Sequence, residues 1–134
     1  MAEVRPLPKR PEDVMGALVD RFNTGDIDVM MSIYAEGAAF VTNSGEALTD
    51  PALIRRELAN FMSVGLPMTT DVRHMIVADD IALFLVDWEI KGTGPDGADV
   101  HLRGSASDIA RRGSDGFWRY VIDNPYGTRF REKI

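Results

Sequence analysis

The stretch RFNTGDIDVMMSIYAEGAAFV, residues 21–41, ends one helix, breaks the chain, starts a second short helix and runs into a strand. Asn23-Thr24-Gly25 stops the first helix, because glycine accepts the positive φ that a helix C-terminus needs. Asp26 stands where a capping carboxylate serves the next helix. Ile27, Met30, Met31 and Tyr34 then recur at helical spacing and make one apolar stripe. Glu36-Gly37 ends that helix, and residues 38–42 read as a strand. The break lets two short helices turn separate apolar faces toward one core.

Upstream, Pro11-Glu12-Asp13 suits a first helical turn, with acids toward the positive end of the dipole. Val14, Met15, Leu18, Val19 and Phe22 follow on one face. Downstream, Thr49-Asp50-Pro51 opens a third helix whose apolar face carries Leu53, Ile54, Leu58, Phe61 and Met62, and Gly65-Leu66-Pro67 closes it. Residues 68–78, 80–92, 98–112 and 117–124 read as strands. Asp79-Asp80, Gly94-Pro95-Asp96-Gly97 and Gly113-Ser114-Asp115-Gly116 are the turns between them. Helices followed by an antiparallel meander predict an α+β fold, with helices packed on one face of a curved sheet.

The 134 residues predict a single domain, with residues 1–9 as a flexible tail. Without cysteine, disulfides, zinc–thiolate sites and cysteine nucleophiles are excluded. Its absence is compatible with the cytoplasmic location expected here. A formal net charge of -6 argues against nucleic acid and anionic membrane as partners. No apolar run approaches a transmembrane length, and the N-terminus lacks the apolar core of a signal peptide. The sequence holds no phosphate loop, no Gly-x-Ser-x-Gly and no nucleotide fingerprint, and its two histidines, His74 and His101, have outward parity. No cofactor and no metal are expected.

Strand alternation assigns sides. Ala82, Phe84, Val86, Trp88 and Ile90 share the inward parity; so do Val100, Leu102, Gly104, Ala106, Asp108 and Ala110, and then Trp118, Tyr120, Ile122 and Asn124. Asp108 is the exception, a carboxylate on an apolar face. If Ala110 pairs with Trp118, Asp108 lies opposite Tyr120, whose hydroxyl reaches it. Burial raises the pKa of such an acid. A neutral Asp108 can donate a hydrogen bond to a ligand; the alternative is an acid tied to Tyr120 or to a backbone amide for structural reasons alone. Leu83, Leu85, Ile109, Phe117 and Val121 share the outward parity and make an apolar outer face, which predicts a homodimer.

Taken together, FNTGDIDVMMSIYAEGAAFV, GEALTDPALIRREL and DGFWRYVIDNPYG resemble the nuclear transport factor 2-like superfamily, specifically its SnoaL-like and ketosteroid-isomerase-like bacterial members. The resemblance spans residues 10–128. It implies a cone-shaped sheet with three helices over its concave face, a pocket between them, and dimers through the outer sheet face. Leu18, Phe40, Thr42, Phe84, Trp88 and Asn124 would line the pocket, with Asp108 and Tyr120 as candidate catalytic groups. Asp108 matches the protonated, oxyanion-stabilising aspartate of the isomerases. Thr42 stands where they keep their base, and Leu18 where they keep a tyrosine. Steroid isomerisation by that mechanism is therefore not expected. The resemblance implies a protein that binds a small apolar organic molecule, with acid–base isomerase, cyclase or dehydratase chemistry as one outcome; the alternative is a non-catalytic accessory module with a vestigial pocket.

Overall fold

A computed structural model describes residues 5–129. After a 3-10 turn at Pro11–Asp13, α1 runs over Val14–Phe22 and α2 over Ile27–Met31. Gly25 sits between them at a φ of 73°. The Asp26 side chain accepts from the backbone N–H groups of Asp28 and Val29, the expected cap. β1 follows at Tyr34–Val41, then β2 at Ala47–Leu48 and α3 at Pro51–Met62, which Asp50 caps by accepting from the Ala52 N–H. β3 (Met68–Ala78), β4 (Ile81–Thr93), β5 (Asp99–Arg112) and β6 (Trp118–Asp123) form the meander.

The six strands make one curved, unclosed sheet in the order β2-β1-β6-β5-β4-β3. The meander is antiparallel as the sequence predicts, and β1 adds one parallel pairing, to β6. The three helices cover the inner face. Val14, Leu18 and Phe22 of α1, Met30 of α2, and Ile54 and Leu58 of α3 pack against Phe40, Phe84, Val86, Trp88, Ile90, Trp118 and Tyr120. Burying a large apolar side chain contributes about 1.5–3 kcal/mol, so this layer supplies most of the driving force.

Tyr34 departs from the sequence reading. It opens β1, paired with Tyr120, instead of extending the helical stripe. The i, i+7 coincidence was genuine, but the hydroxyl of Tyr34 finds its partner across the sheet, and tertiary contact overrides local periodicity.

The β5–β6 register also differs. Arg112 pairs with Trp118, Ala110 with Tyr120, and Ile109 with Ile122, so one extra residue, Val121, bulges from β6. A bulge reverses the side on which later residues fall. Ile122 and Asn124 are only half-buried, and Asp123 turns inward, 8 % exposed.

Buried Arg21 latches the helices together. Its guanidinium donates to the Ser32 hydroxyl and to the carbonyls of Ala17, Arg5 and Pro6. Trp118 N–H donates to the Pro8 carbonyl at 2.8 Å, and Leu7 packs on the core. Residues 5–8, read from the sequence as part of a tail, therefore lie along the folded body; residues 1–4 fall outside the described range. Among the described residues no helix is long and apolar enough to cross a membrane.

Candidate functional site

Between the helices and the inner sheet face lies a cavity of about 50 Å3. Met15, Leu18 and Phe22 of α1, Met30 of α2, and Leu58 and Phe61 of α3 form one wall. Phe40, Met68, Thr70, Val86, Trp88, Ile90 and Ala106 form the sheet side, and Asp108, Asp123 and Pro125 close it. A drug-sized ligand needs about 300–1,000 Å3. As it stands the cavity takes a few waters or a small organic group. Three of its walls are methionines, whose unbranched side chains repack readily.

The end of the cavity near β5 and β6 is built around the two acids. Continuing the Ile109–Ile122 register sets Asp108 directly across from Asp123. Asp108 Oδ1 accepts from the Asn124 backbone N–H at 2.8 Å, and Oδ2 accepts from the Tyr120 hydroxyl at 2.9 Å. Asp123 Oδ2 accepts from the Tyr34 hydroxyl at 2.5 Å. The two tyrosine rings meet edge to face, 5.8 Å between centroids.

Burial raises the pKa of both acids, because desolvation disfavours the charged form. Asp123 rises to about 6, held back by the hydrogen bond from Tyr34. Asp108 rises well above the usual carboxylate range, first through burial and then through repulsion by Asp123; its bonds from Asn124 and Tyr120 oppose the rise. Asp123 therefore ionises first, and its charge helps keep the proton on Asp108. Both tyrosine pKa values are pushed far up by burial and by these charges, so the phenols remain donors.

Of the residues singled out in the sequence, Leu18, Phe40, Trp88 and Asp108 line the cavity. Tyr120 stands behind Asp108, fully buried. The Tyr120–Asp108 contact is present, although by a diagonal and not by the expected direct pairing, because the strand register is offset. Phe84 is buried in the core beside the cavity, outside its lining. Asn124 contributes its backbone N–H to Asp108, while its side chain donates to the Gly127 carbonyl. Thr42 lies away from the cavity, in the turn after β1, where its hydroxyl meets Ser44 Oγ and accepts from the Glu46 N–H. His74 and His101 are exposed, and His101 pairs with Glu89. Among the described residues, no three His, Asp or Glu side chains converge in a way that could hold a metal.

Strand alternation sets Asp123 on the outward side of the last strand with Phe117, Arg119 and Val121, available for pairing across the outer face; the structure corrects this, because the extra residue Val121 turns Asp123 inward. Tyr34, read as part of a helical stripe, is the other group of this site that the sequence did not single out.

Trp88 is fixed by a bond from its indole N–H to the Pro125 carbonyl, 2.7 Å. Gly104 makes room for it: a Cβ there would sit 2.8 Å from both the Pro125 oxygen and Trp88 Nε1. Phe61 meets the Trp88 ring edge to face at 5.8 Å.

The family model of the SnoaL-like domain matches residues 15–125. The chain belongs to this family. The SnoaL-like chain is similar in structure to a candidate calcium/calmodulin-dependent protein kinase type II association domain from Thiobacillus denitrificans, with a TM-score of 0.72, 20% identity, and 93% of this chain and 100% of that one covered. It is similar to an NTF2-like superfamily protein from Salmonella enterica serovar Typhimurium, with a TM-score of 0.66, 16% identity, and coverage of 90% and 92%. A ketosteroid isomerase-like protein from Erwinia carotovora atroseptica gives a TM-score of 0.64 at 17% identity, covering 81% and 86%. At these identities the likeness is one of fold. No curated protein matches the sequence.

Proposed function

We propose that this SnoaL-like chain binds a small, mostly apolar organic molecule in the cavity, with Asp108 as a neutral acid that donates a hydrogen bond to an oxygen of that molecule. The observation that carries the reading is an apolar cavity whose ionisable groups are two carboxyls, each bonded to a tyrosine. An apolar site with a few convergent polar groups and perturbed acids is the usual form of a ligand pocket. Each carboxyl oxygen has two lone-pair directions, so Oδ2 can carry a proton toward the ligand while still accepting from Tyr120. Isomerase, cyclase or dehydratase chemistry follows if the ligand is activated by that bond.

A thermal-shift screen of small ketones, enones and phenols tests this. A binder at 100 times its Kd should stabilise the fold by about 2.7 kcal/mol. Asp108→Asn should keep most of that binding and Asp108→Ala should weaken it. The second reading, an accessory module with a vestigial pocket, draws on the small volume of the cavity. A screen without binders would favour it.

The reading includes a homodimer through the outer sheet face, where Leu83, Leu85, Ile109, Phe117 and Val121 remain half-buried in the single chain. Light scattering at micromolar concentration should give twice the chain mass of 14.8 kDa. A monomer would refute it.

A further inference from the structure

We propose that Phe61 is the gate of the cavity: its ring fills the mouth, and a small apolar ligand enters when that ring turns aside. The gate rests on the ligand-site reading above and names the residue that decides which molecules reach the cavity. Phe61, Met68 and Thr70 are half-buried, and every other residue that lines the cavity is buried. These three bring the end of α3 beside the start of β3, so the mouth lies between those two elements. The Phe61 ring stands across it. It meets the Trp88 ring of β4 edge to face, with 5.8 Å between centroids and 89° between planes, and it lies 6.5 Å from the Phe40 ring of β1. In the sheet, β6 and β5 separate β1 from β4, so this one ring bridges the hollow of the curve.

The frame around the ring is pinned. Asn23, at the end of α1, pairs with the Met68 backbone as a neighbouring strand would: its Nδ2 donates to the Met68 carbonyl at 3.3 Å, and its Oδ1 accepts from the Met68 N–H at 2.8 Å. Leu66 lies against Gly92 of β4, where a Cβ would come within 3.0 Å of Leu66 Cδ2, so the loop from α3 to β3 is seated on the sheet. The Ser63 N–H donates to the Ala59 carbonyl at 2.8 Å and closes the last turn of α3, which carries Phe61. The indole N–H of Trp88 is bonded to the Pro125 carbonyl. The Phe61 ring has no polar atom and is held by apolar contact alone. With its backbone fixed in a helix, the motion left to it is rotation about its side-chain bonds, between the two χ1 wells that a helix allows. Such rotations take picoseconds to nanoseconds at exposed positions. A ring that yields by rotation admits slim molecules and delays broad ones, and in its closed position it keeps bulk water from the cavity.

Fluorine NMR with 4-fluorophenol tests the gate, because line shapes across a titration give the affinity together with the rates of entry and exit. The expected result is entry at least tenfold faster in Phe61→Ala than in the wild type. A residue that only walls the bound molecule would change the exit rate and leave entry as it was. Met68→Ala, on the other side of the mouth, should change entry less than threefold. Equal entry in wild type and Phe61→Ala, or loss of binding in Phe61→Ala alone, overturns the gate and leaves the ligand site standing. An acceleration in Met68→Ala as large as that in Phe61→Ala also overturns it, since the mouth would then have no single gate. Binding to Phe61→Ala and not to the wild type supports it, the wild type being shut to this probe. No binding to either chain overturns both readings. If Phe61→Ala fails to fold, Phe61→Leu decides by the same comparison of entry rates.

Discussion

Two halves of the cavity floor carry the same parts and use them differently. Asp108 with Tyr120 spans β5 and β6; Asp123 with Tyr34 spans β6 and β1. Both acids are buried, at 4 % and 8 % exposure. The first has two protein donors and is woven into the fold. The second has one donor and an oxygen to spare. Equal burial of the same side chain thus comes with a different hydrogen-bond complement, according to how many donors the scaffold supplies.

The largest effect should come from removing the woven acid. Asp108→Ala leaves the Tyr120 hydroxyl and the Asn124 N–H unpaired and should destabilise the fold by about 2–4 kcal/mol in urea titrations. Asp108→Asn preserves an acceptor and should cost about 1 kcal/mol. Equal losses in the two variants would show that the charge of Asp108 matters to the fold, and would break the comparison.

Asp123→Ala strands a single donor, Tyr34, and should cost about 1–2 kcal/mol. A loss matching that of Asp108→Ala would show that Asp123 is equally embedded.

Stability should also depend on pH. Both acids bind their protons more tightly folded than unfolded, so their contribution is complete in acid. It is lost as pH rises from about 4, the ordinary carboxylate value, through about 6 for Asp123 and then through the higher range of Asp108. The share of Asp123 is about 3 kcal/mol. Asp123→Asn removes that share, so urea midpoints at pH 5 and pH 8 should differ less in the variant than in the wild type. An unchanged difference would count against a raised Asp123 pKa.

Thr42→Val should show the smallest effect, within about 1 kcal/mol, and no change in ligand affinity. A loss of binding would return Thr42 to the site.

Much of the architecture was legible because its signals are local. Gly25 breaks the helix and Asp26 caps the next; Asp50-Pro51 starts α3; turns at Asp79-Asp80 and Gly113–Gly116 delimit the meander. Alternation placed Asp108 inward because a period of two is a property of the strand itself. The site was legible only in part. Tyr34 kept helical spacing with Ile27 and yet pairs across the sheet with Tyr120, and Thr42 satisfied a family position without reaching the cavity.

By itself the sequence determined three helices, a four-strand meander and one acid facing the core, since caps, turns and alternation act over a few residues. Tertiary structure alone decided that this acid has a twin. The bulge at Val121 offsets β6 against β5 and turns Asp123 inward, across from Asp108.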